Sequence, residues 1–171
     1  MIGRIRDLIK RAPRRKEPVN IDEAIRDVIE LTRGEAMRQE VLVTTRLADG
    51  FPLIEGDRVE LQQVLLNLVV NAIVAMTTIS DGVRELLIGT EEADSGHVLV
   101  AMRDSGPGFT PESAERVFAP FYTTKSTGLG MGLSICRSII EAHGGRLWAS
   151  ANEPRGAVFQ FTVPIPSTNS S

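Results

Sequence analysis

The sequence predicts an α+β fold in which a mixed, mostly antiparallel sheet packs on about three helices. Three segments carry apolar residues at helical spacing, and shorter segments rich in β-branched residues lie between them. These shorter segments occur mostly in pairs, which favours a two-layer sandwich over a doubly wound parallel sheet. At 171 residues, the chain suits one domain with a short appendage.

Composition and charge restrict the class of protein. A hydrophobic content of 42% and a charged content of 24% are ordinary for a soluble globular protein, and a net charge of -3 gives no general case for a nucleic-acid partner. The only cysteine is Cys136, which excludes an internal disulfide and suits a reducing, cytoplasmic setting. No segment approaches the roughly 18 to 20 continuous apolar residues of a membrane-spanning helix, so we expect no membrane contact.

Two short segments precede the main domain in this interpretation. A short amphipathic helix is predicted over Met1 to Arg11, because its apolar residues fall on one face. The basic, proline-bounded segment from Lys10 to Pro18 is predicted to be a linker. A nucleic-acid patch is the less favoured alternative there, since the segment has no interleaved aromatic residues.

The first elements of the main domain can be placed from their boundary residues. Asn20 is a suitable N-cap for a helix that runs to about Arg38. A strand is predicted over residues 41–47, and the Asp49-Gly50 pair turns the chain toward a second, short strand near residues 53–55.

The next helix begins with a capping-box-like pair, Asp57 and Glu60, and runs through about Met76. The remaining predicted elements follow in order: strands at residues 85–90 and 97–102, the loop DSGPGF, a helix at 131–142, a hairpin-like pair at 146–152 and 157–165, and a disordered tail at 167–171.

Asn67 and Asn71 lie four residues apart inside the very apolar second helix. Buried amides must find partners or cost free energy. Bonds to neighbouring backbone would explain a single asparagine, whereas a polar site facing a cleft explains two on one stripe at least as well. Amide oxygens are acceptable ligands for Mg²⁺, which usually takes few protein oxygens and completes its shell with water and phosphate.

The loop DSGPGF, residues 104–109, follows a predicted strand directly. Gly106 and Gly108 permit a backbone path that other residues would disfavour, and taken alone they indicate a turn. The carboxylate of Asp104 can only accept hydrogen bonds when ionised. At the base of a pocket, it would therefore suit the exocyclic amino group of adenine and disfavour guanine.

The segment FYTTKSTGLGMGLSI, residues 121–135, is a polar run followed by alternating glycines and a helix start. It is neither a Walker P-loop nor a G-x-G-x-x-G motif. The free N-H groups and positive dipole of a helix N-terminus could still bind an anion, with Lys125 adding charge. A flexible surface loop is an equally good interpretation of this segment by itself.

Together, the motifs NLVVNA, DSGPGF, FAPFYTTK, GLGMGLSI and the HGG of residues 143–145 resemble the nucleotide-binding catalytic domain of two-component sensor histidine kinases. In that family the first four are called the N, G1, F and G2 boxes. The resemblance covers roughly residues 18–166 and implies the two-layer α/β sandwich of the Bergerat-fold ATPases. It also implies ATP and Mg²⁺ as cofactors.

The resemblance implies a role for each motif residue. Asn71 would ligate magnesium, Asn67 would lie beside the phosphates, and Asp104 would recognise adenine. Phe118 and Phe121 would anchor a mobile lid. Asn67 and Lys125 are the implied catalytic residues. The implied nucleotide-binding set is Asn67, Asn71, Asp104, Gly106, Gly108, Phe121, Lys125, Gly128, Leu129, Gly130, Met131, Gly132 and Leu133.

The phosphoacceptor of a complete histidine kinase is a histidine followed by an acidic residue in a dimerising hairpin. Neither His97 nor His143 has that context. We therefore expect residues 1–17 to be the end of such a hairpin plus a linker, and residues 18–166 to be a catalytic domain that is monomeric alone and cannot phosphorylate itself. The implied partners are a histidine-bearing dimerisation domain, in the same protein or in trans, and the receiver domain of a response regulator. The implied location is cytoplasmic, with the full-length protein free to be membrane-anchored.

One position distinguishes the subfamilies. Gyrase-like ATPases carry a glutamate four residues before the magnesium-binding asparagine, where it activates water, but here that position is Asn67, and an amide is a poor base. The chain is thus expected to hold ATP for transfer with weak intrinsic hydrolysis. A nucleotide-binding regulatory module and a serine-directed Bergerat-fold kinase are the alternatives; the long segment with its TTK sequence favours the histidine-kinase branch.

Overall fold

The computed structural model describes residues 16–48, 50, 53–79, 82–93, 96–108, 118, 130–152 and 155–166. Within these ranges the chain forms three helices and seven strands. The helices are α1 (Ile21–Arg38), α2 (Arg58–Met76) and α3 (Gly130–Ala142). The strands are β1 (Glu17–Val19), β2 (Val41–Arg46), β3 (Ile54–Gly56), β4 (Arg84–Ala93), β5 (His97–Asp104), β6 (Arg146–Ala151) and β7 (Ala157–Pro164).

The main sheet has five strands in the order β2-β4-β5-β7-β6. β2 and β4 pair in parallel, and the other three pairs are antiparallel. The parallel pair arises because β3 and α2 carry the chain from β2 back to the start of β4. The predicted α+β class, with a mixed and mostly antiparallel sheet and three helices, is confirmed.

Side-chain caps fix where the first two helices begin. The side chain of Asn20 accepts a hydrogen bond of 3.0 Å from the backbone N-H of Glu23. Asp57 accepts one of 3.1 Å from the N-H of Glu60 in the same way. Each bond satisfies one of the unpaired N-H groups of a first helical turn. Both helices therefore start where the sequence predicted, and they end at the predicted residues, Arg38 and Met76.

α2 lies in the hydrophobic core and contacts both α1 and α3. By length and composition alone this helix would qualify as membrane-spanning, with a mean hydropathy of 1.6 over an 18-residue window. The expectation concerned uninterrupted apolar residues, and α2 does not contradict it, because Asn67 and Asn71 divide its apolar residues into shorter runs. Its apolar character has a structural explanation, since these side chains are buried in the core: Leu61, Val64, Leu65, Leu68, Val69, Ile73 and Met76.

Several strand boundaries differ from the prediction. β3 lies one residue later than expected and pairs with β1, whose Glu17 and Pro18 had been assigned to the linker. A three-residue strand has no readable alternation, and Pro18 is tolerated because β1 has only one neighbour. β4 and β5 also run further than predicted, so Asp104 is the last residue of β5.

Some predicted features lie outside the described residues. These are the helix at 1–11, the tail at 167–171, and the site residues Phe121, Lys125, Gly128 and Leu129.

Candidate functional site

The carboxylate of Asp104 is buried at the end of β5, with only 3% of the residue exposed. Its Oδ1 accepts hydrogen bonds from the backbone N-H groups of Gly106, at 2.9 Å, and Ala157, at 3.1 Å. Burial raises the pKa of Asp104, and the two backbone hydrogen bonds act in the opposite direction. Among the described residues, both bonds to this carboxylate use Oδ1, which leaves Oδ2 as the atom suited to a ligand.

The loop after Asp104 is held on two sides. On one side, Ser105 Oγ donates to the Val83 carbonyl at 2.8 Å and accepts from the Glu85 N-H at 2.9 Å. On the other side, Asn152 Nδ2 donates to the Asp104 carbonyl at 2.9 Å. These bonds attach the loop to the start of β4 and to the turn between β6 and β7. The loop that follows Asp104 is thereby held in position before any ligand binds.

Glycines allow this loop to pack closely. A Cβ on Gly106 would lie 3.2 Å from Asp104 Oδ1 and 3.3 Å from Met76 Cγ, so the loop sits on the last turn of α2. Gly108 has a φ of +75°, and a Cβ there would come within 2.5 Å of the Gly156 carbonyl oxygen. Gly156 itself has a φ of +114° and packs so tightly on the Asp104 carbonyl that a side chain would overlap it.

One face of α2 connects the two ends of the site. Asn67, Asn71 and Ala75 are spaced four residues apart and therefore lie on the same face. At one end, Asn67 Nδ2 donates to Cys136 Sγ on α3 at 3.5 Å. At the other, the carbonyl carbon of Ala75 would lie 3.6 Å from a Cβ on Gly106. Asn71, between them, is half-buried, and no hydrogen bond of its amide to a described residue is seen.

The first turn of α3 faces the Asn67 end of this stripe. A Cβ on Gly132 would lie 3.6 Å from Asn67 Nδ2, so the two helices approach closely there. Gly130 begins the helix, one residue earlier than predicted, and Met131 follows it. The Leu133 side chain is buried in the core, so any ligand contact by Leu133 must come from its main chain. The N-H groups of a first helical turn have no partners within the helix and can bind an anion.

Phe118 is anchored between β7 and α3. Its ring is 4% exposed and packs edge-on against Phe159, with 6.0 Å between the ring centroids. The guanidinium carbon of Arg137 lies 4.2 Å from the centre of the same ring, while Arg137 Nε donates to the Leu147 carbonyl at 3.2 Å. The lid-anchoring role that the resemblance implied for Phe118 stays a prediction, because the neighbouring residues lie outside the described part of the chain.

His143 is not placed as an acceptor of a phosphoryl group. His143 is buried, with Nε2 accepting from the Asp57 N-H at 3.0 Å and Nδ1 lying 2.8 Å from the Ile139 carbonyl oxygen. Because Nε2 accepts, the proton of the neutral ring belongs on Nδ1, where it meets that oxygen. His97 begins β5, as predicted, and pairs with Pro164 of β7.

Sequence reasoning missed four residues that shape the site: Ser105, Cys136, Asn152 and Gly156. Gly156 could have been found, because it stands between two strand-like segments where a tight turn is needed. The partners of Ser105 and Asn152 are 22 and 48 residues away along the chain, so no local pattern reveals them.

The donors at this site fit a nucleotide together with a magnesium ion. The described residues contain no group of three or more His, Cys, Asp or Glu side chains that could hold a metal ion by themselves. The amide oxygens on α2 are hard donors of the kind that Mg²⁺ accepts when phosphate supplies further oxygens. The buried carboxylate at one end of the site suits a nucleotide's heterocyclic base. The helix N-terminus at the other end suits its phosphate chain.

Known proteins with similar sequences and folds support this interpretation. Residues 56–167 match the family described as histidine kinase-, DNA gyrase B- and HSP90-like ATPases. The sensor protein FixL of Bradyrhizobium diazoefficiens is 40% identical over 169 residues, which cover 99% of this chain and 33% of FixL. The chain thus spans about a third of the length of this relative.

Solved structures agree with the sequence comparison. The catalytic domain of histidine kinase ThkA, in a nucleotide-free form, superposes with a TM-score of 0.77 at 36% identity, covering 88% of this chain and 95% of that domain. ThkA in complex with the response regulator protein TrrA gives a TM-score of 0.75 at 34% identity, covering 88% of this chain and 42% of ThkA. The chain therefore belongs to the histidine kinase-, DNA gyrase B- and HSP90-like ATPases, and within them to the catalytic domains of histidine kinases.

Proposed function

We propose that this chain holds Mg-ATP for transfer of the γ-phosphoryl group to a histidine on a dimerisation domain of a sensor histidine kinase. The observation that carries the proposal is the single face of α2 bearing Asn67 and Asn71. That face runs from the N-terminus of α3 to the loop of the buried Asp104. A nucleotide that spans these two ends would place its base at Asp104 and its phosphates at α3.

Each end of the site has a distinct task in this proposal. Asp104 accepts the hydrogen bond of the adenine amino group, which selects ATP over GTP. Gly106 and Gly108 shape the wall beside it. Asn71 contributes an amide oxygen to the magnesium ion, and Asn67 lies beside the phosphates. When bound, Mg²⁺ neutralises the charge that accumulates on the phosphate oxygens.

The phosphate end combines described and undescribed residues. The main-chain N-H groups of Gly130, Met131, Gly132 and Leu133 are proposed to bind the phosphates at the start of α3. Four further residues of the proposed set lie outside the described part of the chain: Phe121, Lys125, Gly128 and Leu129. Lys125 is proposed to reach the terminal phosphate.

Transfer is favoured over hydrolysis because of the residue at position 67. Asn67 occupies the position where a glutamate would activate water, and an amide does not accept a proton effectively at neutral pH. In the proposed transfer, the imidazole nitrogen of the acceptor forms a bond to the γ-phosphorus. The bond from that phosphorus to its bridging oxygen breaks, and ADP leaves with the electron pair.

The acceptor and the downstream partner are proposed to lie outside the catalytic domain. His143 uses both ring nitrogens inside the fold, so the acceptor histidine is assigned to a dimerisation domain. ThkA is known in complex with a response regulator, which supports the receiver domain of a response regulator as the next recipient. We further propose a cytoplasmic location, and a monomer for this chain by itself.

A labelling experiment tests the proposed activity. The purified chain is incubated with magnesium and ATP labelled at the γ-phosphate, alone and with the dimerisation hairpin of its full-length protein. We expect acid-labile label on the hairpin and none on the chain alone. Label on the isolated chain would contradict an acceptor outside the catalytic domain, and no label on the hairpin while ATP is bound would contradict transfer. Rapid phosphate release without an acceptor would indicate an ATPase instead.

A further inference from the structure

We propose that Cys136 is a positioning residue whose thiol holds the Asn67 amide in one orientation, with its NH₂ group turned toward α3 and its carbonyl oxygen turned toward the cleft. This inference rests on the proposed function, because it takes Asn67 to lie beside the phosphates of Mg-ATP. It assigns to α3 a second task besides its N-terminal contact with phosphate.

The geometry of the contact supports this role. Asn67 Nδ2 lies 3.5 Å from Cys136 Sγ, within hydrogen-bond distance for a sulfur acceptor. Cys136 is completely buried, so water does not compete for the bond at the sulfur. Asn67 is half-buried and shares its helix face with Asn71. The amide therefore has one end in a dry helix-helix contact and the other end near the site.

The two ends of an asparagine amide have opposite chemistry. The NH₂ group donates to anions such as phosphate oxygens, whereas the carbonyl oxygen accepts from water or binds a cation. The terminal torsion of asparagine is broad, so an amide without a partner can present either end. A neutral thiol can weakly donate or accept, and here it accepts from Asn67 Nδ2, which corresponds to the orientation that presents the carbonyl oxygen.

The chemistry of the thiol suits this task. Burial raises the pKa of Cys136 to about 11, with the hydrogen bond from Asn67 opposing the shift. The sulfur is therefore a neutral, weak acceptor at physiological pH and adds no negative charge beside the phosphates. Gly132 lies next to this contact, since a Cβ there would be in ordinary van der Waals contact with Asn67 Nδ2 at 3.6 Å.

Two replacements of Cys136 separate orientation from packing. Cys136→Val fills a similar volume without an acceptor, whereas Cys136→Ser keeps an acceptor on a shorter bond. Affinity is measured by calorimetry with a non-hydrolysable ATP analogue, with and without Mg²⁺. We expect Cys136→Val to weaken magnesium-dependent binding by about threefold to tenfold, the range that one modest hydrogen bond supports. We expect Cys136→Ser to retain more affinity, and both to bind the analogue without Mg²⁺ as the wild type does.

A control and a double-mutant cycle make the test specific. Ile140→Val removes a buried methyl group one turn further along α3 and should lower stability without changing affinity. If Cys136 acts through Asn67, Cys136→Val should have no further effect in an Asn67→Ala background. Additive losses, or equal losses for the valine and serine variants, would overturn the positioning role.

The same cycle distinguishes the inference from the proposed function. If Asn67→Ala binds Mg-nucleotide as tightly as the wild type, the proposed role of Asn67 is wrong and the positioning role falls with it. If Asn67→Ala weakens binding but Cys136→Val does not, only the positioning role is wrong. Should the valine variant fail to fold, NMR of the wild type still decides. Slow exchange of the Asn67 side-chain NH₂ protons supports the bond to Cys136, and exchange as fast as that of exposed Gln63 overturns it.

Discussion

The carboxylate of Asp104 on β5 and the backbone N-H of Ala157 on β7 are joined by a hydrogen bond of 3.1 Å between neighbouring strands of the sheet. The same oxygen accepts the N-H of Gly106 in the following loop. One atom of a single side chain thus connects two strands and the loop that supports the proposed nucleotide base. The other oxygen is the one proposed to recognise adenine.

Replacing Asp104 with asparagine should separate these two tasks. An amide Oδ1 can still accept both backbone bonds, so we expect the variant to fold. The ligand-facing oxygen becomes an NH₂ group, which cannot accept from the adenine amino group. We expect ATP affinity to fall by about tenfold or more, with loss of the preference for ATP over GTP, in calorimetry with both nucleotides. Equal binding of ATP and GTP by the wild type would contradict the adenine role.

Burial of Asp104 also predicts a pH dependence of stability. Its pKa is raised in the folded chain above the ordinary value of 3.8, mainly by desolvation. At pH values between the unfolded-state and folded-state pKa of Asp104, the folded state binds more protons than the unfolded state. The stability that comes from this extra protonation is therefore lost as pH rises through that interval. We expect the wild type to lose stability relative to Asp104→Asn as pH rises from about 3.8. Above the folded-state pKa of Asp104, the difference should stay constant. Urea unfolding of both proteins across pH measures this, and a difference that grows in favour of the wild type would contradict it.

Replacing glycine with alanine should have opposite effects on stability at Gly156, which packs on Asp104, and at Gly34, which has no close neighbour. At Gly156, alanine would be strained at a φ of +114° and would overlap the Asp104 carbonyl, so we expect a loss of about 1 to 3 kcal/mol. At Gly34 in α1, an added Cβ would have no neighbouring atom within 4 Å, and alanine there should stabilise the protein by about 0.5 to 1 kcal/mol. Thermal unfolding compares the two variants; similar effects at both sites would refute the close packing beneath Asp104.

Asn71 should matter for binding of the magnesium complex but little for folding. Its side chain is half-buried and makes no hydrogen bond to the described residues, so Asn71→Ala removes no hydrogen bond seen there. We expect about a tenfold loss in affinity for Mg-ATP and little change for ATP without magnesium. Gln63→Ala, at an exposed position of the same helix, is the matched control. An equal loss with and without Mg²⁺ would argue against a metal-ligating role.

Arg84 should affect stability without affecting the site. Its Nη1 donates to the Gln39 carbonyl and its Nη2 to the Ile79 carbonyl, both at 2.7 Å. One guanidinium therefore binds the carbonyl groups just after α1 and α2. Lysine cannot donate in this forked geometry, and we expect Arg84→Lys to cost about 1 to 2 kcal/mol in urea unfolding. Arg33→Lys, in an exposed pair with Glu30, should change stability by less than about 0.5 kcal/mol. Unchanged stability of the Arg84 variant would contradict the role of these two hydrogen bonds.

The parts of the fold that could be predicted are those encoded locally. Asn20 and Asp57 mark helix starts by their own side chains, and the β6-β7 hairpin is visible in its alternating strands. The parallel pairing of β2 with β4 could not be predicted, because it depends on how α2 packs rather than on any turn between the strands. β1 was missed because Pro18 and two neighbours form no periodic pattern.

In the candidate site too, local features could be predicted and long-range contacts could not. The sequence placed Asn67 and Asn71 correctly on the second helix, whereas Asp104, expected in the loop, is the last residue of β5. The sequence did not reveal that Asn67 contacts Cys136, since a buried cysteine on a helix usually serves as a small hydrophobic residue. Leu133 shows the reverse case: its motif position suggested ligand contact, and its side chain belongs to the core.

The hydrogen bonds that position the site have a consequence for how the domain is made. Asp57 with His143, Asn67 with Cys136, and Asp104 with Ala157 join residues 86, 69 and 53 positions apart in the chain. Such distant pairs can form only after the intervening segments have been synthesised and docked. On the ribosome, α2 therefore emerges long before the partners that orient it. We expect nucleotide-binding competence to appear only after α3 and the β6-β7 hairpin have left the exit tunnel.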